Sequence, residues 1–182
     1  MPPASLPNSP DGGSQSDRVQ PDPSPEFFEP EFFEPGFFEF EADFVKSLRC
    51  IPMQVRYKLD CCGVKLKLDH WHRFSQGDRL HLTQLPGDDI EAYARAVQAL
   101  GYQVQGSPAG TLPIELNPGW ESKAVPPEVA AQADQVGATV PPESWRSLTP
   151  LQRFALIKLS RPGHENRNFY PALVEFGLVA EE

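Results

Sequence analysis

The sequence predicts a mainly α-helical fold: a small, irregular bundle of five to seven short helices behind a disordered acidic N-terminal tail. Three features carry this expectation. Apolar residues recur at three- and four-residue spacing in several windows, as on the buried stripe of a helix. Helix-start signals stand in front of those windows, with Ser75 followed by Asp78, and Thr149 followed by Pro150 and Gln152. The chain carries 21 prolines and 13 glycines, which punctuate it into segments too short for long helices.

Residues 1–25 are Pro, Ser, Gly, Asp and Gln with almost no large apolar side chain, so they bury too little surface to offset the entropy of ordering. Residues 26–40 repeat a five-residue unit: EFFEP, EFFEP, GFFEF. Two readings of the repeat stand side by side: an acidic-aromatic docking motif, or a duplicated piece of the segment that leads into the domain. Residues 1–37 are thus assigned to a Pro-rich acidic tail and residues 38–182 to one helical domain. Phe40, Phe44 and Leu48 form the first helical stripe, interrupted at Pro52, which is well placed to open the next helix. Ile51, Val55, Leu59 and Cys62 share one face of that helix, and Gly63 offers its C-terminal cap. Val64, Leu66 and Leu68 alternate with Lys65 and Lys67, as in a short extended segment. Asp69 caps a helical turn with Trp71 and Phe74, and a helix with Leu80 and Leu82 follows Ser75. The clearest helix starts at Asp88 or Asp89, carries Ile90, Tyr93, Ala94, Val97 and Leu100, and is expected to end at Gly101. Residues 102–125 form a long connection anchored by Trp120, and a short helix covers Pro127–Val136. Thr149 opens a helix to Leu159 or Ser160, which Arg161, Pro162 and Gly163 break, and the last helix spans Tyr170–Phe176.

The net charge of −9 is a property of one end of the chain. Residues 1–41 hold nine acids and one base, which leaves 16 acids and 15 bases for residues 42–182. The domain is therefore near neutral, and its composition does not mark it as a nucleic-acid binder. Met1 to Gln20 has no apolar core of a signal peptide, and no run of 18 apolar residues exists to span a membrane, so a cytoplasmic location is expected. Three cysteines, two of them adjacent, read as free thiols of a reducing compartment.

Motifs for bond chemistry are missing. Cys50, Cys61, Cys62, His70, His72 and His81 lie within about 30 residues, but their close pairs are C-C and H-x-H, which lack structural-zinc spacing. There is no nucleophile elbow, no papain-like or caspase-like cysteine context and no glycine-rich phosphate loop. No catalytic residue, cofactor or metal is assigned. Two polar stretches remain. Between residues 46 and 79 eight bases outnumber three acids, with Lys46, Arg49, Arg56 and Lys58 at the front, and this reads as a solvated face or as a docking face for an acidic partner. His164, Glu165, Asn166, Arg167 and Asn168 form a polar run between two apolar helices. It reads as an interhelical connection in which Asn166 or Asn168 caps the last helix, or as a recognition surface.

These same stretches carry a resemblance. FEFEADFVKSLRCIPMQVRYKLD at 38–60, GVKLKL at 63–68 followed by Trp71, and WRSLTPLQRFALIKLSRPGHENRNFYPALVEFGL at 145–178 resemble the opening and the C-terminal signature of the nitrate-reductase-associated protein family. The repeat-bearing tail departs from that pattern. The resemblance implies an accessory protein of nitrate assimilation, found mainly in cyanobacteria beside genes for assimilatory nitrate reductase and molybdenum-cofactor synthesis. It brings no catalytic residues. The expected partners are nitrate reductase or its maturation machinery, with an acidic electron-donor protein as a further possibility. An enzyme or carrier in molybdenum-cofactor synthesis or insertion is the alternative.

Overall fold

The computed structural model describes residues 36–179, and the readings made for residues 1–35 lie outside the described residues. A 3-10 turn, Glu39–Glu41, runs into α1 (Ala42–Val45), and α2 (Met53–Cys61) follows a short connection. Strand β1 (Val64–Lys65) precedes α3 (Leu68–Arg73), α4 (Gln76–Gln84) and the longest helix, α5 (Ile90–Gln105). Strand β2 (Gly110–Thr111) pairs antiparallel with β1, Val64 opposite Thr111 and Lys65 opposite Gly110. A 3-10 turn at Gly119–Glu121 leads to α6 (Pro127–Gln135), α7 (Pro142–Ser147) and α8 (Pro150–Leu159). A further 3-10 turn, His164–Asn168, joins α8 to α9 (Phe169–Glu175). The mainly helical class stands. Nine α-helices lie among the described residues, more than the five to seven expected; the one that the sequence reading did not place, α7, is too short to display a clear period.

Two apolar clusters share α2 between them. Val55 and Leu59 belong to the cluster of Leu48, Trp71, Phe74, Leu82, Tyr93 and Val97. Met53, with Tyr57 and Cys61 packed alongside, belongs to the cluster of Trp120, Val129, Trp145, Phe154, Leu156, Leu159, Phe169 and Leu173. The sequence reading recognised the first stripe. The second, at i, i+4 and i+8 from Met53, is its counterpart on the other side of the helix, so α2 is buried on two faces.

The capping signals place helix starts where expected. Ser75 Oγ accepts from Asp78 N at 3.1 Å while the Asp78 carboxylate accepts from Ser75 N at 3.0 Å. Thr149 and Gln152 form the same reciprocal pair at 3.2 and 2.8 Å, and Asp89 accepts from Ala92 N at 2.8 Å. Ser75→Ala is expected to lower the unfolding free energy by about 1 kcal/mol, read as a shifted urea midpoint, because an amide of the first turn of α4 loses its acceptor.

Several boundaries differ from the sequence reading. The stripe of Phe40, Phe44 and Leu48 is not one helix to Pro52: α1 stops at Val45, and Leu48 turns left-handed at φ 48°. That conformation is unfavourable for leucine. It is held because the side chain is buried and the carbonyl accepts from Trp71 Nε1 at 2.7 Å and Arg79 Nη1 at 3.3 Å. Pro52 is the residue before α2 rather than its first, and Lys67 rather than Asp69 precedes α3. Gly101 does not end α5, which continues to Gln105 and is closed by left-handed Gly106. Gly101 is instead a close approach: a Cβ there would lie 3.1 Å from Ala109 N.

Candidate functional site

Two carboxylates fix the segment from Phe38 to Met53. Glu41, 1 % exposed, accepts from Met53 N at 2.8 Å and Phe38 N at 3.2 Å, so it caps the start of α2 and its own 3-10 turn. Glu175, on α9, accepts from Glu39 N at 2.8 Å and Phe40 N at 3.3 Å. The rings of Phe38 and Phe40 then pack on Phe176, with centroids 5.0 and 6.3 Å away. Burial pushes the Glu41 carboxyl up to about 7, against the opposing pull of the two backbone donors and Arg56. Burial also raises Glu175.

Part of each polar stretch of the sequence meets around one cleft, Arg49 and Arg56 from the first and Glu165, Arg167 and Asn168 from the second. Arg56, on α2, donates from Nη1 to Glu165 Oε2 at 2.8 Å, across 109 residues of chain. Their side chains are 28 % and 44 % exposed, so solvent screens the pair and its own contribution to stability is small. A cleft of about 90 Å³ opens beside them, lined by Glu41, Arg49, Cys50, Arg56, Arg167 and Asn168 among others. A broader trough of about 310 Å³ adjoins it and shares Cys50, Ile51, Arg56 and Glu165 as lining. Its other walls are Leu59, Val64, Leu66, Leu68 and Leu112, with Lys65, Asp60 and Lys158. Asp60 and Lys158 form an ion pair between α2 and α8, and burial still holds the Lys158 ammonium below the usual lysine range.

The other sequence-predicted residues are placed as follows. Lys46 is exposed just past α1. Lys58 leaves the basic face: its ammonium donates to Thr83 O at 3.1 Å and Leu85 O at 2.6 Å, where it satisfies carbonyls at the end of α4. Arg79 likewise serves the carbonyls of Leu48, Phe74 and His72. Asn166 accepts from Gln132 Nε2 at 3.0 Å, which ties the turn to α6. Asn168 precedes α9 without a side-chain capping bond, and His164 opens the 3-10 turn. Basic residues 46–79 are thus not one continuous face, since two of the eight are committed to backbone carbonyls.

Sequence reasoning missed Glu41, counted there only as one more acid of the tail, and the Asp60–Lys158 pair, whose 98-residue separation leaves no local signal. Of the thiols, Cys50 lines both the cleft and the trough, while burial raises those of Cys61 and Cys62. No three His, Cys, Asp or Glu side chains converge as metal ligands among the described residues. No helix among those residues is long and apolar enough to cross a membrane.

A family model described as conserved nitrate reductase-associated protein matches residues 37–176. The chain belongs to this family. The match runs from the phenylalanines that lead into the domain to Phe176, against which two of them pack, so it covers nearly all of the folded unit described above. No curated protein and no solved structure matches the chain. The family's description associates it with nitrate reductase and names no reaction of its own.

Proposed function

We propose that this member of the nitrate reductase-associated family is a non-catalytic accessory or maturation factor, which supports assimilatory nitrate reductase by binding it or its maturation machinery in the cytoplasm. The observation that carries this reading is the meeting of Arg49, Arg56, Glu165 and Arg167 around one cleft. Guanidinium groups grouped in this way suit carboxylates of an acidic partner, because each presents paired donors in a fixed plane. Arg56 spends one nitrogen on Glu165, and Arg49 and Arg167 make no ion pair among the described residues.

Charge reversal tests the surface. Arg49→Glu, alone and with Arg56→Glu, is expected to reduce co-purification with nitrate reductase while the helical circular-dichroism spectrum is unchanged. Arg56→Glu sets a second carboxylate face to face with that of Glu165, so the single Arg49 variant is the cleaner reading. Undiminished co-purification of both variants removes this face from consideration. A second outcome separates binding from bond chemistry. A strain whose protein carries Cys50→Ser, Cys61→Ser and Cys62→Ser is expected to keep its nitrate reductase activity, and loss of that activity restores the reading of an enzyme or carrier in molybdenum-cofactor chemistry.

A further inference from the structure

The cleft and the trough are two halves of one surface, and they differ in chemistry. At the cleft, Arg49 and Arg167 are exposed guanidinium groups that make no ion pair among the described residues, beside partly buried Arg56. In the trough, Val64 of β1, Leu66 of the connection and Leu68, which opens α3, line one wall, joined by Ile51, Leu59 and Leu112. Leu68 stands 46 % exposed, a large apolar side chain left uncovered beside a concave apolar wall.

The charges give the surface a sign. Arg56 is matched by Glu165 and Lys158 by Asp60. Of the other charged groups in the lining, Glu41 is buried and held by two backbone amides. That leaves Arg49, Lys65 and Arg167 against Asp43, an excess of positive charge beside an apolar trough.

We infer that this bipartite groove binds an extended acidic-apolar peptide segment of a partner protein, with a carboxylate at the Arg49–Arg56–Arg167 cleft and a neighbouring large apolar side chain in the trough under Leu68. The inference rests on the accessory reading and names the chemistry that the partner must present. Recognition combines the two contributions of a peptide groove: carboxylate pairing sets orientation and partner choice, and burial of the apolar side chain slows release. A basic segment meets the excess of like charge, and a wholly polar acidic segment leaves the trough empty.

The test uses the full chain, labelled with nitrogen-15, and a capped synthetic peptide with two glutamates flanking two leucines. Resonance shifts are expected at residues 49–51, 64–68 and 165–167. Replacing the glutamates of the peptide by glutamine, or Arg49 or Arg167 of the protein by glutamate, is expected to weaken binding by about threefold to tenfold. Leu68→Ser is expected to weaken it by about tenfold, the worth of burying much of one leucine. Leu116→Ser, at a side chain 92 % exposed and outside both linings, is expected to leave it unchanged. Circular dichroism confirms that each variant is folded. Shifts that fall outside the groove, or binding indifferent to Arg49→Glu and Leu68→Ser, overturn the inference. If the protein still co-purifies with nitrate reductase in that case, the accessory reading survives and only this groove is rejected. If the peptide binds as described but the unaltered protein never associates with nitrate reductase or its maturation machinery, the groove stands and the accessory reading falls.

Discussion

Trp71→Ala is expected to lower the unfolding free energy by about 3–5 kcal/mol, enough to remove a large part of the stability of a domain of this size. Trp71 is fully buried, packs edge-on to Phe74 with ring centroids 6.3 Å apart, and shares its cluster with Leu48, Val55, Leu82, Tyr93 and Val97. The truncation leaves a cavity that helices from three directions would have to collapse to fill. It also withdraws the indole donor from the Leu48 carbonyl, one of the two bonds that hold the left-handed turn after α1. Trp71→Phe separates the two effects, since it keeps most of the packing and is expected to cost about 1–3 kcal/mol. Urea unfolding followed by circular dichroism reads both. A Trp71→Ala chain within about 1 kcal/mol of the parent would show that this cluster is not a cooperative core.

The second large effect is a fall in stability as pH rises from about 4.5 to about 7. The folded-state pKa of Glu41 is raised from 4.5 to about 7, mainly by burial. Below 4.5 the carboxyl is protonated in both states and carries no penalty. Between 4.5 and 7 the unfolded chain ionises while the folded chain keeps its proton, so folding binds the proton and raising the pH favours the unfolded state. Above 7 both states are ionised and the loss is complete, on the order of 3 kcal/mol for this group. Glu175, also raised by burial, contributes with the same sign. The groups facing Glu41 do not reverse the trend: burial and, last, Glu175 raise its pKa, and burial outweighs the amides of Met53 and Phe38 and the Arg56 guanidinium, which lower it. Glu41→Gln keeps an acceptor for Met53 N and has no charge to desolvate, so its stability profile is expected to be flatter over this range. Parallel profiles for the parent and Glu41→Gln chains, from urea midpoints at pH 5, 6, 7 and 8, would show that burial of this carboxylate has no such consequence.

The starts of α4, α5 and α8 were legible because a side-chain cap marks each of them. Ser75, Asp89 and Thr149 each satisfy an amide of the first turn, and that bond depends on residues three apart in the chain. The ends were less legible. Glycine signals a stop only when its left-handed conformation is used, as at Gly106, whereas Gly101 serves a close contact with Ala109 inside the helix. Basic residues were visible as a stretch, but their roles were not. Lys58 and Arg79 turn to backbone carbonyls, while Arg49 and Arg56 line a cleft with residues more than 100 positions away.

By itself, then, the sequence determined the helical class, the near-neutral charge of residues 42–182, the starts of α4, α5, α6 and α8 and the likeness that residues 37–176 bear out. These depend on spacing, composition and caps, which act over a few residues. The tertiary structure alone decided that α2 is buried on two sides, that Glu41 is an interior cap rather than one more acid of the tail, and that Arg56 meets Glu165. Each depends on which surfaces meet when helices pack, a choice made by contacts between segments far apart in the chain, of which no local pattern keeps a record.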